Sequence, residues 1–213
     1  MNKIAAIGCG VVAMVVLGVL AIAALVGISG YNRLVSQSQT VDKQWAQVQT
    51  DYQRRADLIP NLVATVSGAA NFEKSTLVEI TEARASVGQV KLSAGNAPTD
   101  AKQLADFEKA QGQLSTALSR LLVVSERYPD LKANKNFGEL QVQIEGTENR
   151  ITVARRDFNE AVSAYNTNVK SFPTVIYAAW FGFKEKPYFA SSAGSDVAPK
   201  VNFDFSKPAP TKP

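Results

Sequence analysis

The sequence predicts an all-α protein: an N-terminal transmembrane helix followed by an elongated bundle of three to four long antiparallel helices. Three observations lead there. Apolar residues recur in steps of three and four over long stretches, the period of a helix face. Alternating β-branched runs bounded by turn residues are absent from positions 31 to 170, so no strand is expected there. No charged side chain occurs from Ile4 to Asn32, a run rich in Val, Leu, Ile, Ala and Gly.

That run comes first. About 20 apolar residues cross a bilayer as a helix, so it is long enough to span with some tilt. A cleaved signal peptide carries a shorter apolar stretch of about 7–15 residues. The A-x-A-like site Ala21-Ile22-Ala23 is moreover followed by further apolar residues. Residues 1–30 are therefore expected to be an uncleaved, single-pass anchor. Cys9 stands before most of the apolar run, unlike a lipoprotein attachment site. Gly8, Gly10 and Gly18 permit close helix contact in lipid, as small residues do in spans generally. Gly8-Cys9-Gly10-Val11-Val12-Ala13 superficially fits a dinucleotide fingerprint, but no strand precedes it and the setting is a membrane span. No cofactor is expected.

Residues 31–189 form the predicted bundle domain. Leu34, Val41, Trp45, Val48, Tyr52, Ile59, Leu62 and Val66 keep steps of 3, 4 or 7, and Ser38 and Arg55 fill the missing places. Pro60 lacks an N–H and restrains Ile59, so it is expected to kink or break this helix. A second segment then runs from about Asn61 to Ala94, bearing Phe72, Leu77, Ile80, Ala83 and Val87, with Gly68 marking a further bend. Ala94-Gly95-Asn96-Ala97-Pro98 reads as a loop, and Thr99 as the N-cap of a helix bearing Phe107, Ala110, Leu114, Ala117, Leu121, Val124 and Tyr128. Tyr128-Pro129-Asp130 stops it. After Leu131 to Asn134, a fourth helix shows Leu140, Ile144, Thr147, Ile151, Ala154, Phe158, Ala161, Tyr165 and Val169. A helix of about 35 residues is about 50 Å long, which makes the body a rod. Residues 190–213, rich in Ser, Pro, Ala and Lys with Phe203 and Phe205, read as a flexible tail.

Composition limits the chemistry. The 213 residues carry a net charge of +4, with 46% apolar and 20% charged residues, one Cys and no His. The apolar share excludes a disordered chain, and the Cys and His counts exclude a disulfide scaffold or a Cys/His zinc site. Lack of His also removes Ser-His-Asp and Cys-His hydrolases, so no catalytic residue is nominated. The 23 basic residues are mixed with 19 acidic ones, a solvated surface and not a nucleic-acid stripe. Glu73, Glu79 and Glu82, like Glu139, Glu145 and Glu148, are spaced as a solvated helix face, and no metal is expected.

Two groups invite a function. The first is Arg54-Arg55-Ala56-Asp57, in which Arg55 falls on the apolar register and needs a partner if buried. Glu148, Arg150 and Asp157 on the fourth helix are the candidates for a shared network. Such a network either sets helix register or forms an anion- or partner-binding pocket. The second is Phe172 to Phe189, which holds seven of the chain's 18 aromatic residues. It reads as a short helix after Pro173 capping the bundle. Alternatively, Phe172, Tyr177, Trp180 and Phe181 contact membrane or another subunit, with Lys184 and Lys186 on lipid phosphates.

The chain closely resembles the LemA family of bacterial single-span membrane proteins from Tyr31 to Phe189. The resemblance is carried by Tyr31-Asn32-Arg33-Leu34-Val35, Val41-Asp42-Lys43-Gln44-Trp45, Arg54 through Val63, and Thr81-Glu82-Ala83-Arg84. Leu131-Lys132-Ala133-Asn134, Glu145 through Ile151, Ala164-Tyr165-Asn166-Thr167 and Phe181 through Phe189 complete it. It departs mildly from the family pattern: Ala56 stands where an aromatic is common, and Asn71-Phe72-Glu73 where a His before the Glu is common. The resemblance implies a helical domain behind an N-terminal anchor in the bacterial inner membrane, with no established catalytic residues to carry over. It also implies a cytoplasmic soluble domain, a choice that Lys3 on one side and Arg33 and Lys43 on the other barely make. Some relatives are associated with membrane organisation. The expected function is a self-associating scaffold, a homo-oligomer that organises membrane or envelope proteins. The alternative is a receptor-like adaptor binding a peptide or protein through the bundle.

Overall fold

The structure, a computed structural model, describes residues 2–68, 72–90 and 96–190, with side chains described from residue 14 onward. Its helices are α1 (Asn2–Ser67), α2 (Lys74–Gln89), α3 (Ala101–Ser125), α4 (Pro129–Lys132), α5 (Lys135–Lys170) and α6 (Thr174–Ala178). No strand occurs among the described residues.

α1 has 66 residues, which at a rise of 1.5 Å each is about 100 Å. Its first part is apolar and uncovered: Met14, Leu17, Leu20, Leu25 and Ile28 are all more than half exposed. This helix is long and apolar enough to cross a membrane. Beyond Tyr31 the same helix turns amphipathic, and all eight residues of its predicted face, Leu34 through Val66, are buried.

Pairings across the helices fix their direction. Gln37 accepts from Asn168 at 2.7 Å, and Arg55 meets Glu148, so rising along α1 means descending along α5. On the other side Glu73 pairs with Arg127 and Glu79 with Arg120, which makes α2 and α3 antiparallel. The buried side chains form two clusters. One surrounds Trp45 with Phe107, Phe158, Tyr165 and Phe189, and the other gathers Ile59, Leu62, Ile80, Leu114, Leu121 and Phe137.

Three local expectations are corrected. Pro60 does not end its helix, since α1 runs through it to Ser67 and Gly68 follows in a turn. The carbonyl it deprives of a partner, that of Ala56, accepts instead from Arg84 Nε at 3.3 Å. The cap of α3 is Asp100 and not Thr99: its carboxylate accepts the Lys102 N–H at 2.8 Å. The stretch before α5 contains the four-residue turn α4, and Asn134 caps α5 by accepting from the N–H groups of Asn136 and Phe137. Ala94, Gly95 and the tail residues 191–213, with Phe203 and Phe205, lie outside the described residues, as do the side chains around Gly8, Cys9 and Gly10.

After α6 the chain runs extended from Phe183 to Ala190, back along α5. Two asparagines set two turns apart hold it. Asn166 donates to the carbonyl of Lys186 (2.8 Å) and accepts its N–H (2.9 Å). Asn159 does the same for Phe189 at 3.1 and 2.9 Å. Each amide imitates the pairing that a neighbouring strand would offer, and so satisfies backbone groups that burial would otherwise leave costly. Phe189 is thereby pressed onto Trp45 and Phe158, with ring centroids 6.0 and 5.3 Å away.

Candidate functional site

Arg55 sits where the two apolar clusters meet. It is 1% exposed, and three helices converge on its guanidinium. Nη1 donates to Glu148 and to the Ser115 hydroxyl at 2.6 and 2.8 Å, and Nη2 donates to Gln111 Oε1 at 2.6 Å. Along α1 the layer falls between Tyr52 and Ile59, on α3 it runs from Gln111 to Ser115, flanking Leu114, and on α5 it falls between Ile144 and Ile151. A buried cation at one level permits only the helix register that brings its acceptors alongside. Glu148 is half exposed, so this charge pair has one wet end.

Beside the layer opens a cleft of about 450 Å³, lined by Tyr52, Arg55, Glu108, Gln111, Glu148 and Arg155 among others. Arg155 pairs with Glu108 at 2.6 Å, lies 4.6 Å from the centre of the Phe189 ring and donates to the Ala190 carbonyl at 3.0 Å. Burial holds the Glu108 carboxyl above the usual carboxylate range, outweighing the opposing pull of Arg155. Burial likewise raises the Tyr52 phenol, against the two arginines beside it. The cleft thus offers paired charges of both signs around a wet opening.

Of the proposed network, the structure brings together Arg55 and Glu148. Arg54 is exposed, and Asp57, also exposed, accepts from Gln53 on its own helix at 2.7 Å. Asp157 pairs with its neighbour Arg156 at 3.0 Å and reaches neither Arg54 nor Arg55. Arg150 and Asp157 instead border a separate shallow groove with Gln47 and Asp51. Among the acidic residues considered for a metal, Glu73, Glu79, Glu139 and Glu148 each pair with a Lys or Arg, and Glu145 accepts from Gln141.

The aromatic segment lies against α1 where its apolar part ends. Tyr31 stacks edge-on with Phe181 and Phe183, at centroid distances of 5.0 and 5.7 Å. Tyr177 presses so closely on Gly30 that a Cβ there would overlap its hydroxyl and come within 2.7 Å of Cζ. Phe172 and Trp180 are 81% and 84% exposed, and Phe181 and Lys184 are exposed too. Lys186 is not at the surface. It is buried with its ammonium 2.9 Å from Asp42 and 5.5 Å from the centre of the Tyr165 ring, so it is not available to lipid phosphates.

Several of these residues carried little signal in the sequence. Gln111 falls on the apolar register of α3, four residues after Phe107 and three before Leu114, and that position marks it as a buried polar partner. Asp42, Lys186, Asn159 and Asn166 owe their roles to a return of the chain that no periodicity announces.

Residues 44–203 match the LemA family, a stretch well over half of the chain. The magnetosome proteins MamQ 2 and MamQ 1 of Paramagnetospirillum magneticum are each 26% identical over 202 residues, covering 87% of this chain and 74% of the relative. Protein LemA of Metamycoplasma hominis is 24% identical over 143 residues, covering 67% of this chain and 61% of its own length. The long apolar N-terminal helix, the helical bundle behind it and the family match agree with the resemblance read from the sequence, and the protein belongs to the LemA family.

Proposed function

We propose that the protein is a membrane-anchored helical scaffold that self-associates in the bacterial inner membrane and organises membrane or envelope proteins, without catalysis. One observation carries this reading: the apolar part of α1 and the first helix of the bundle are a single helix, with no linker between anchor and domain. A flexible tether suits a domain that must search, whereas a continuous helix holds its cargo surface at a set height and angle. Confinement to a plane then strengthens weak lateral contacts by raising the effective concentration of neighbouring copies. The family match and the relatives named as magnetosome proteins support a membrane role over an enzymatic one, because none of those names denotes an enzyme. Family expectation puts the bundle on the cytoplasmic side. The mass of the tagged full-length protein in mild detergent, corrected for bound detergent and lipid, tests the reading. A clean multiple of the 22.9 kDa subunit supports it, and a bare monomer overturns self-association.

The charged cleft beside Arg55 and Arg155 favours a second reading, an adaptor that binds a peptide or protein through the bundle. It predicts a stoichiometric partner that co-purifies with the full-length protein and is lost on Lys109→Glu at the exposed rim. Retention of every co-purifying protein by that variant counts against it.

A further inference from the structure

We infer that residues Phe172 to Phe183 form a collar seated in the headgroup–acyl boundary of the bilayer that α1 crosses. The inference rests on the membrane-spanning role of α1 and assigns a lipid contact to a segment outside it. Its height follows from contacts already fixed: Tyr177 lies on Gly30, and Phe181 and Phe183 lie on Tyr31. Those two α1 residues fall between Ile28, the last large aliphatic side chain of the exposed apolar part, and Arg33, the first charge after that part. At 1.5 Å per residue, Arg33 stands only about 4.5 Å beyond Gly30 along the helix, so the collar lies at the exit of the span.

The chemistry of the collar matches that level. Phe172, Trp180 and Phe181 are 81%, 84% and 60% exposed, and Ile176 is 54% exposed, a density of uncovered large apolar groups that water disfavours. Trp and Tyr favour the boundary because one end of the ring system is apolar and the other forms hydrogen bonds. Arg33 lines the crevice between α1 and α6, and Lys184 is exposed just after the collar, so cations stand ready on the headgroup side. Within the collar, Pro173 and Tyr177 share that crevice with Leu25 and Val26, so the collar adjoins the apolar surface of α1. Continuity with a surface built for lipid selects the bilayer as the occupant over a second copy of the chain.

The two tryptophans make the test direct. Trp45 is fully buried and lies 15 residues beyond Gly30, about 22 Å further along α1, out of reach of quenchers carried near the headgroups. The full-length protein is reconstituted into phosphatidylcholine–phosphatidylglycerol vesicles in which part of the lipid is brominated high on its acyl chains. The expected result is that about half of the tryptophan emission is quenched by these lipids and is shielded from aqueous acrylamide, Trp180 being one of two emitters. Trp180→Phe, a change at an exposed position, should abolish lipid quenching and leave the emission of Trp45. Emission from Trp180 that acrylamide quenches and brominated lipid does not would overturn the collar. So would shielding from both together with a Trp180→Cys disulfide between chains, which would assign the surface to a second copy. Flotation of the vesicles separates the two levels of failure. If the protein does not float with them, the spanning role of α1 fails, whereas floating protein with unquenched Trp180 sinks the collar alone.

Discussion

Arg84 donates from Nε to the carbonyl of Ala56, the group that Pro60 leaves without its helical partner. A local defect in α1 is thus repaired from α2, and α1 stays unbroken to Ser67. Pro inside a helix is about 3 kcal/mol worse than Ala, while one hydrogen bond returns about 1 kcal/mol. Pro60→Ala is therefore expected to stabilise the bundle by about 1–2 kcal/mol. Arg84→Ala should cost roughly 1 kcal/mol in the natural sequence and close to nothing beside Pro60→Ala, because the backbone then serves Ala56 itself. Urea unfolding of the full-length protein, followed through the emission of buried Trp45, measures both. Equal costs for Arg84→Ala in the two backgrounds would remove the link.

The layer around Arg55 predicts an asymmetry. Glu148→Ala leaves a fully buried guanidinium with only Ser115 and Gln111, neutral partners, and should cost about 3 kcal/mol. Arg55→Met keeps the apolar stem and leaves Glu148, which is half exposed, free to hydrate. It should cost less than Glu148→Ala, with the orphaned Gln111 amide as its main penalty. Denaturant midpoints of the two variants decide the order, and the reverse order would mean that the acceptors, not the cation, dominate the layer.

Release of the extended segment should be local. Asn166→Ala removes both bonds to the backbone of Lys186, at about 1–3 kcal/mol for each group left buried and unsatisfied. Amide hydrogen exchange at Lys186 and Phe189 is expected to accelerate, while exchange in α2 and α3 stays as it was. Uniform acceleration throughout the bundle would show that the segment is part of a single cooperative unit.

Glu108 sets a pH dependence whose sign is fixed by burial. Its carboxyl lies above the usual carboxylate range, so the folded chain holds this proton more tightly than the unfolded chain. Its contribution to stability therefore falls as pH rises from the ordinary Glu range through the raised value, and recovers on acidification. Glu108→Gln has no proton to lose. The stability of the natural protein relative to this variant should fall across that window, as read from urea midpoints at successive pH values. A relative gain with rising pH would mean that the Arg155 charge outweighs desolvation.

The apolar faces were legible because burial in a bundle demands a period, and Leu34 through Val66 on α1 or Phe107 through Val124 on α3 keep it with only a few polar residues on the register. Arg55 stood out for the same reason, as a charge on an apolar register. Pro60 misled because a chain-local rule was overridden by a donor 24 positions away in sequence, on another helix. Lys186 misled differently. With Lys184 it reads as a cation for lipid phosphates, and only the return of the chain along α5 buries its ammonium against Asp42.

The unbroken α1 also makes the anchor an axle. With 3.6 residues per turn, one residue inserted at the membrane exit would swing the whole bundle by about 100° around the membrane normal while lifting it about 1.5 Å. A flexible leash would absorb such an insertion unnoticed. Here the compass bearing of every surface on the bundle, the charged cleft included, is written into the count of residues between the apolar run and the core, so the proposed scaffold would meet its neighbours by phase as well as by contact.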